Sequence, residues 1–427
     1  MSYVLSERVA RLSLNVWTTL RRPRVVLGIS VLAAMYLVVL VARGQRRSDQ
    51  TDFSQYYVYA LAMRSGQNAY TVDLTSLAAR QSLSIGWKHA TYPPTFILCF
   101  EPLTLMSPRA AYWTWTVISL ASLGAALFLL LNQECDLPSA LLLAAAAVIY
   151  EPLASHFHFA QAQLTILLLL TLAMRSLRRG HEAAAGLTLA VASLLRLFPL
   201  IFVGYLLMRR KWQALLFMGL ALAVGAAITW GFLGTTRAQG FFQMVDPLSR
   251  QLKVPANMSL GALVSRPFWP LAGPLHPSIE LGRRMAVGLA ELVIVTLTIL
   301  AGAKRGWTAD EDDAVFGLWV VTMVLLTPTA WGHYLVLLFL PFAVLVRAAA
   351  RGAASARAIC LAVGSYLLTQ ASMIPADRLF WLLPQKLSTG LTEITALWLL
   401  LAYASLFYLV VDCPKLQRTP VPVLRVA

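Results

Sequence analysis

The sequence predicts an all-α polytopic membrane protein with about twelve transmembrane helices, some short or broken, and two long loops carrying interfacial helices. Three observations predict it. The 427 residues are 59% hydrophobic and only 13% charged, against roughly 45–50% apolar and about 25% charged in soluble domains. Apolar runs recur along the chain at close to the roughly 20 residues that a bilayer crossing needs. Arginines and lysines collect between the runs, as membrane orientation requires.

The first run, residues 25–42, reads as an anchor and not as a cleavable signal, since a mixed segment of residues 1–24 precedes it and no small-residue cleavage site follows. Further spans are expected near residues 111–131, 139–153, 164–177, 212–233, 285–303, 314–327, 334–346, 358–374 and 391–411. The segment between Arg179 and Arg209 behaves differently. Arg178 and Arg179 precede it, Arg209, Arg210 and Lys211 follow it, and Arg196 and Pro199 divide it. Proline removes a helix donor and disfavours helix in the residue before it. Basic residues at both ends call for one membrane side, so a hairpin of two short helices is expected, with Arg-Leu-Phe-Pro at its tip. The span number is then even, which places both termini, residues 1–24 and 412–427, in the cytoplasm. Residues 25–411 form a single membrane domain whose outer loops are 43–108 and 234–284, in the cell (inner or plasma) membrane.

A formal net charge of +16 invites a nucleic-acid partner, but the basic residues sit at span ends with no separate aromatic-basic platform, so none is expected. Cys99, Cys135, Cys360 and Cys413 have no CxxC spacing and imply neither zinc nor a disulfide framework. Asp310 to Asp313, "DEDD", resembles a metal-nucleotide cluster in isolation; no Gly-rich loop accompanies it, and it reads as a solvated cytoplasmic loop.

The remaining polar groups fall on the outer side. They are Asp52 and the Tyr56–Tyr57 pair in the first loop; His156, His158, Gln161 and Gln163 in "HFHFAQAQ"; Arg196 at the hairpin tip; Asn257, Ser259 and Arg266 in the second loop; and Trp331 and His333 in "TPTAWGHYL". Ionisable groups at membrane depth are costly and commonly mark function. Each also has a plainer reading. Asp52 is a good type for a helix start, Arg196 is able to snorkel to headgroups, His333 to pack, and His156 and His158 to anchor at the interface. No third acid or histidine gives the His pair metal-ligand spacing, so no metal is expected, and no cofactor.

An acid, an arginine and a histidine on an outer face suit one chemistry. A transfer reaction away from cytoplasmic nucleotides needs a donor already activated and held in the bilayer, such as a polyprenyl phosphate sugar. Asp52 then deprotonates an acceptor hydroxyl. Arg196 and His333 hold the departing phosphate. Tyr56, Tyr57 and Trp331 stack on sugar or line the lipid entry.

Six stretches in order carry a resemblance: "TDFSQYYVYALAMRSGQNAY", "TYPPTFILCFEPLTLMSP", "AQAQLTILLLL", "AAGLTLAVASLLRLFPLIFVGYLLMRRKW", "NMSLGALVSR" and "LLTPTAWGHYLVLLFLP". Over residues 49–341 the chain resembles GT-C glycosyltransferase family 87, which includes bacterial polyprenyl-phosphate-mannose-dependent alpha-mannosyltransferases and arabinofuranosyltransferases. The resemblance implies a GT-C fold, an outward site and metal-independent inverting transfer. It places the catalytic aspartate at Asp52 and the donor-phosphate residues at Arg196 and His333; Tyr56, Tyr57, Gln161, Gln163, Asn257, Arg266 and Trp331 are the substrate contacts expected beside them. It also implies a polyprenyl phosphate sugar donor, a glycolipid or polysaccharide acceptor, and membrane lipids around them. Two departures stand out: Ala160-Gln161-Ala162-Gln163 where the family tends to Gly-Gln-x-Asn, and Arg196 where lysine is common. The competing readings are a transporter or flippase of lipid-linked sugars, for which the broken segment at Arg196 and Pro199 speaks, and an inactive scaffold.

Overall fold

The computed structural model describes residues 19–46, 48–49, 51–131, 136–243, 257–268, 276–303, 308–371 and 399–411, the side chains of 236–238 excepted. Among them the regular structure is helical throughout. In chain order the helices are α1 Pro23–Gln45, α2 Asp52–Arg64, α3 Thr75–Arg80, α4 Pro94–Phe100, α5 Pro108–Leu131, α6 Leu137–Ile149, α7 Glu151–Phe159, α8 Gln163–Arg178, α9 Glu182–Leu195, α10 Phe202–Met208, α11 Trp212–Gln243, α12 Leu260–Ser265, α13 Pro277–Gly302, α14 Ala309–Leu326, α15 Phe339–Ala350, α16 Ala356–Ala371 and α17 Leu399–Val411. Short 3-10 turns at Glu101–Leu105, Phe198–Ile201 and Gly332–Leu338 join some of them. Proline opens α1, α4, α5 and α13, where its missing N–H costs nothing and its fixed φ suits the first turn.

Five of these helices are long and apolar enough to cross a membrane: α1, α5, Trp212–Thr235 of α11, α13, and Gly332–Ala350. The pair α6 and α7, bent by 55°, makes a sixth if taken as one span. The protein is therefore a multi-pass membrane protein. The other expected crossings fall on shorter helices, among them α9, Phe198–Met208 and α17. Part of the expected last span (391–398), residues 244–256 and 269–275 of the expected outer loop 234–284, and the end segments 1–18 and 412–427 lie outside the described residues.

The segment between Arg179 and Arg209 breaks where expected. Arg196 ends α9 in an extended conformation, φ −148° and ψ 132°, and Pro199 follows in a 3-10 turn before α10. Its two flanks meet. Lys211 pairs with Glu182 at 3.2 Å, Arg178 pairs with Asp313 at 2.5 Å, and Arg209 pairs with Asp312. Both ends of the segment therefore reach the same acidic turn, and the segment is a hairpin. A close approach seats it: a Cβ on Gly186 of α9 would lie 2.2 Å from the Ala214 carbonyl of α11, a small-residue contact of the kind that binds membrane helices.

That acidic turn corrects the reading of Asp310 to Asp313 as a solvated loop. The four residues stand within the first five of α14. Thr308 and Glu311 close a capping box, with Glu311 N donating to Thr308 Oγ1 at 3.3 Å and Thr308 N donating to Glu311 Oε2 at 2.7 Å. Asp313 is buried and takes both Arg178 and Arg347, each at 2.5 Å, while Asp310 takes Arg178 at 2.9 Å and also Arg351. The sequence signal of four consecutive acids points equally to solvent; only the convergence of four arginines from α8, α15 and the segments beyond α10 and α15 makes it a clasp. Breaking a buried ion pair by removing one partner costs about 3–5 kcal/mol. Asp313→Asn should fall near the lower end, because Arg178 keeps partial access to solvent. The expected outcome is a clear drop in thermal midpoint in detergent.

The core is built round α14, whose Phe316 and Trp319 pack against Phe202 and Tyr205 of α10, with Phe202 and Phe316 ring centres 4.6 Å apart. A second, aromatic cluster lies under α2 and α4 and includes Phe53, Tyr56, Phe96, Phe100 and Trp115. α14 spans 18 residues, about 27 Å at 1.5 Å per residue. Its acidic clasp marks one end of the bundle, and the candidate site gathers beyond the other.

Candidate functional site

Asp52 is the first residue of α2. Its carboxylate accepts from Gln55 Nε2 one turn along the same helix, at 2.7 Å to Oδ1, and from Gln161 Nε2 on Oδ2. Thr51 occupies the N-cap position but makes no side-chain cap bond, and Asp52 is the acidic residue of the first turn. Burial pushes the Asp52 carboxyl above the usual carboxylate range, while the Arg196 charge and hydrogen bonds from Gln161, Gln55 and Tyr92 act against that rise.

Gln161 is the junction. It is buried, and its Oε1 accepts from the Tyr56 hydroxyl at 2.8 Å and from Arg196 Nη2 at 3.2 Å. Arg196 Nη2 also donates to the Tyr56 hydroxyl at 3.0 Å. One amide thus connects carboxylate, phenol and guanidinium, which are 109, 105 and 35 residues away from it in sequence.

Local structure explains why Gln161 arrives there. α7 ends at Ala160 in the left-handed region, φ 51°, a conformation unfavourable for a residue with a Cβ. Trp115 Nε1 donates to the Ala160 carbonyl at 2.9 Å and Gln161 N donates to the His156 carbonyl at 3.2 Å, which together hold the turn. The positive φ is also the physical reason that glycine suits this position in the resembling family.

Arg196 sits in an aromatic cage. Its Cζ lies 4.4 Å from the Tyr92 ring centre, 5.3 Å from Phe96 and 5.9 Å from Tyr56, within cation–π range. The cage is rigid: the Tyr56 ring meets Tyr92, Phe96 and Phe100 edge-on at 4.8, 4.8 and 5.4 Å. Thr95 of α4 donates to the Leu194 carbonyl, tying the cage to the frayed end of α9. Among the described residues no carboxylate pairs directly with the guanidinium, and its buried Nε has no partner. A buried cation with unspent donors is poised for an anion.

The other expected site residues are distributed as follows. His333 is buried in the Gly332–Leu338 turn, 5.8 Å from the Phe159 ring, within electrostatic range of both Arg196 and His156. Gln163 is fully buried at the start of α8. Tyr56 offers its hydroxyl, since its ring is enclosed. Tyr57 turns away, donating to the Met106 carbonyl at 2.8 Å. Asn257 spends its side chain on main chain: Oδ1 accepts from Ser259 N and Ala330 N, and Nδ2 donates to the Pro328 carbonyl. It thereby staples the second loop to the turn that leads to Trp331 and His333. Arg266 Nη2 donates to the Asn257 carbonyl at 3.0 Å. Trp331 is half-buried and starts the turn that carries His333, its carbonyl accepting from Tyr334 N at 2.8 Å.

Sequence reasoning missed Gln55, Tyr92 and Phe96. Gln55 was findable as the residue one turn beyond Asp52. The cage residues stand in the quoted "TYPPTF", but nothing along the chain says that they face Arg196. His156 corrects the interfacial-anchor reading, for it is completely buried.

The sequence model described as Glycosyltransferase family 87 matches residues 90–328. A polyprenol-phosphate-mannose-dependent alpha-(1-2)-phosphatidylinositol pentamannoside mannosyltransferase of Mycolicibacterium smegmatis is 25% identical over 252 residues, 57% of this chain and 58% of its own. A relative of the same description from Mycobacterium tuberculosis is 27% identical over 253 residues, 57% of this chain and 55% of its own. The match therefore spans little more than half the length of these relatives. Among solved structures, ArnT from Cupriavidus metallidurans aligns in its apo state with TM-score 0.36 and 13% identity over 88% of this chain and 77% of its own. Bound to undecaprenyl phosphate it aligns with TM-score 0.37 and 14% identity over 90% and 78%.

Proposed function

The chain belongs to glycosyltransferase family 87, and from that premise we propose that it is a membrane glycosyltransferase moving a mannose-type sugar from a polyprenyl phosphate donor to a hydroxyl of a glycolipid or polysaccharide acceptor. The observation that carries the reading is the junction at Gln161, which brings a half-buried carboxylate and a buried guanidinium with no direct carboxylate partner among the described residues to one point. The names of the relatives, which describe polyprenol-phosphate-mannose and phosphatidylinositol mannosides, favour mannose and a glycolipid.

The chemistry is a single inverting displacement. The acceptor oxygen attacks the sugar's anomeric carbon and forms the new glycosidic bond as the bond from that carbon to the phosphate oxygen breaks. The bonding pair leaves with the phosphate, whose growing charge Arg196 and His333 receive. The acceptor's proton passes to Asp52. Burial makes Asp52 a stronger base than a solvated carboxylate, and its two bound amides leave lone pairs free for that proton. The site faces outward, where the lipid-linked donor is presented.

The test is transfer itself. Proteoliposomes given polyprenyl phosphate mannose and a phosphatidylinositol mannoside acceptor are expected to form a new glycosidic bond, read by mass spectrometry. Movement of the sugar lipid across the bilayer with no new bond would instead establish a flippase, which the break at Arg196 and Pro199 favours.

A further inference from the structure

Near the Asp52–Gln161–Arg196 junction lies a group of buried polar atoms, some of them on residues that the reaction above does not use. His156 is 0% exposed, and neither ring nitrogen has a hydrogen-bond partner among the described residues. Gln163 is 0% exposed, and neither its Nε2 nor its Oε1 has one. His333 Nδ1 and Arg196 Nε are in the same condition. The residues stand on elements that pack together. His156 stands near the end of α7 and Gln163 at the start of α8, and both helices pack on the Gly332–Leu338 turn that bears His333. His333 lies within electrostatic range of both His156 and Arg196. An unmade hydrogen bond on a buried polar atom is costly, so a concentration of them in one place implies a polar occupant.

We propose that His156, together with His333 and Gln163, forms a phosphate-contacting subsite beside Arg196, and that His156 is a donor-contacting residue of the reaction. This rests on the reading of the protein as a polyprenyl-phosphate-dependent transferase. The donor inventory selects the ligand chemistry. A neutral imidazole supplies one N–H, a primary amide two, and Arg196 Nε another. A phosphate presents only acceptors to such a wall. Gln163 Oε1 and the second nitrogen of His156, acceptors with no partner among the described residues, are left for hydroxyls of the sugar that the phosphate carries. The Arg196 charge, with no direct carboxylate partner among the described residues, favours an anion further. As the sugar departs the phosphate gains charge, and these N–H bonds strengthen with it.

The phosphate is lipid-borne in this proposal, and the probes separate the sources. Wild-type protein in nanodiscs is expected to bind polyprenyl phosphate, and excess inorganic phosphate is expected not to displace it; displacement would overturn the lipid-borne assignment. His156→Ala is expected to weaken polyprenyl phosphate binding about 10-fold or more while binding of dephosphorylated polyprenol stays unchanged. His156→Gln keeps an N–H of similar reach and is expected to recover most of the loss, whereas His156→Phe is not. A histidine that only fills space gives the reverse order, with phenylalanine the better replacement and both lipids affected alike; that result would overturn the proposal. If wild-type protein binds and transfers while every His156 variant binds polyprenyl phosphate as tightly, only this inference falls. If wild-type protein binds no polyprenyl phosphate, the functional reading falls with it.

Discussion

Asp52→Asn is expected to reduce sugar transfer by about 10²–10⁴-fold, the range for loss of a general base, without loss of fold. The surroundings accept the amide with one adjustment. The introduced amide's oxygen takes the hydrogen bond from Gln161, and its nitrogen then faces the Gln55 amide, which must turn over. Gln55 Oε1 now accepts from the Tyr59 hydroxyl at 3.0 Å, and that hydroxyl has the Trp87 carbonyl at 2.8 Å as another acceptor. Tyr59 therefore donates to Trp87 and accepts from the turned Gln55, and no buried group is orphaned. Stability should not fall and is expected to rise slightly. The folded protein raises the Asp52 pKa by burial, so it binds the proton more tightly than the unfolded chain does. Keeping Asp52 ionised therefore costs stability at every pH above the folded pKa, and that cost disappears below the unfolded value of about 4. Thermal unfolding of the asparagine variant at neutral pH should match or exceed wild type, with the difference shrinking towards about pH 4. The wild-type kcat/KM should show an acid limb above the ordinary carboxylate range. Undiminished transfer by Asp52→Asn would remove Asp52 as the base.

Arg196→Ala is the second large effect, about 10²–10³-fold in kcat/KM, comparable to removing one preorganised donor from a developing charge. Two independent consequences make it diagnostic. The guanidinium contributes to lowering the Asp52 pKa, so its removal should move the acid limb of the pH profile upward. The neighbouring hydrogen bond from Tyr56 to Gln161 at 2.8 Å does not involve the guanidinium, so the junction between α2 and the Gln161 turn should survive. Arg196→Lys keeps the charge but not the planar fork or its stacking on Tyr92, and should recover only part of the loss. A profile that does not move, with phosphate-lipid affinity intact, would show that Arg196 only braces the aromatic cage.

The comparison of Asp52 with Asp310 to Asp313 shows what can be read along a chain. Both are acids next to membrane segments, the first read from its neighbourhood as a site acid and the second as a solvated loop. The difference is made by partners far away: Gln161 and Arg196 for the first, Arg178, Arg209, Arg347 and Arg351 for the second. His156 makes the same point in reverse. Its neighbours in "HFHFAQAQ" suit an interfacial anchor, yet the packing of α7 on the His333 turn buries it completely.

What the sequence determined by itself is everything that depends on period, composition and local backbone chemistry. The apolar runs specify helices in a bilayer because unpaired main-chain groups have no other solution there. Pro199 and the basic flanks specify a broken hairpin because proline withdraws a donor and arginines stay on one side. The ordered motifs specify the family. Tertiary structure alone decided which polar groups meet, because a side chain's hydrogen bonds and electrostatic field depend on distance in space, and the Gln161 junction, the cage on Arg196 and the acidic clasp are each assembled from helices that the chain order keeps apart.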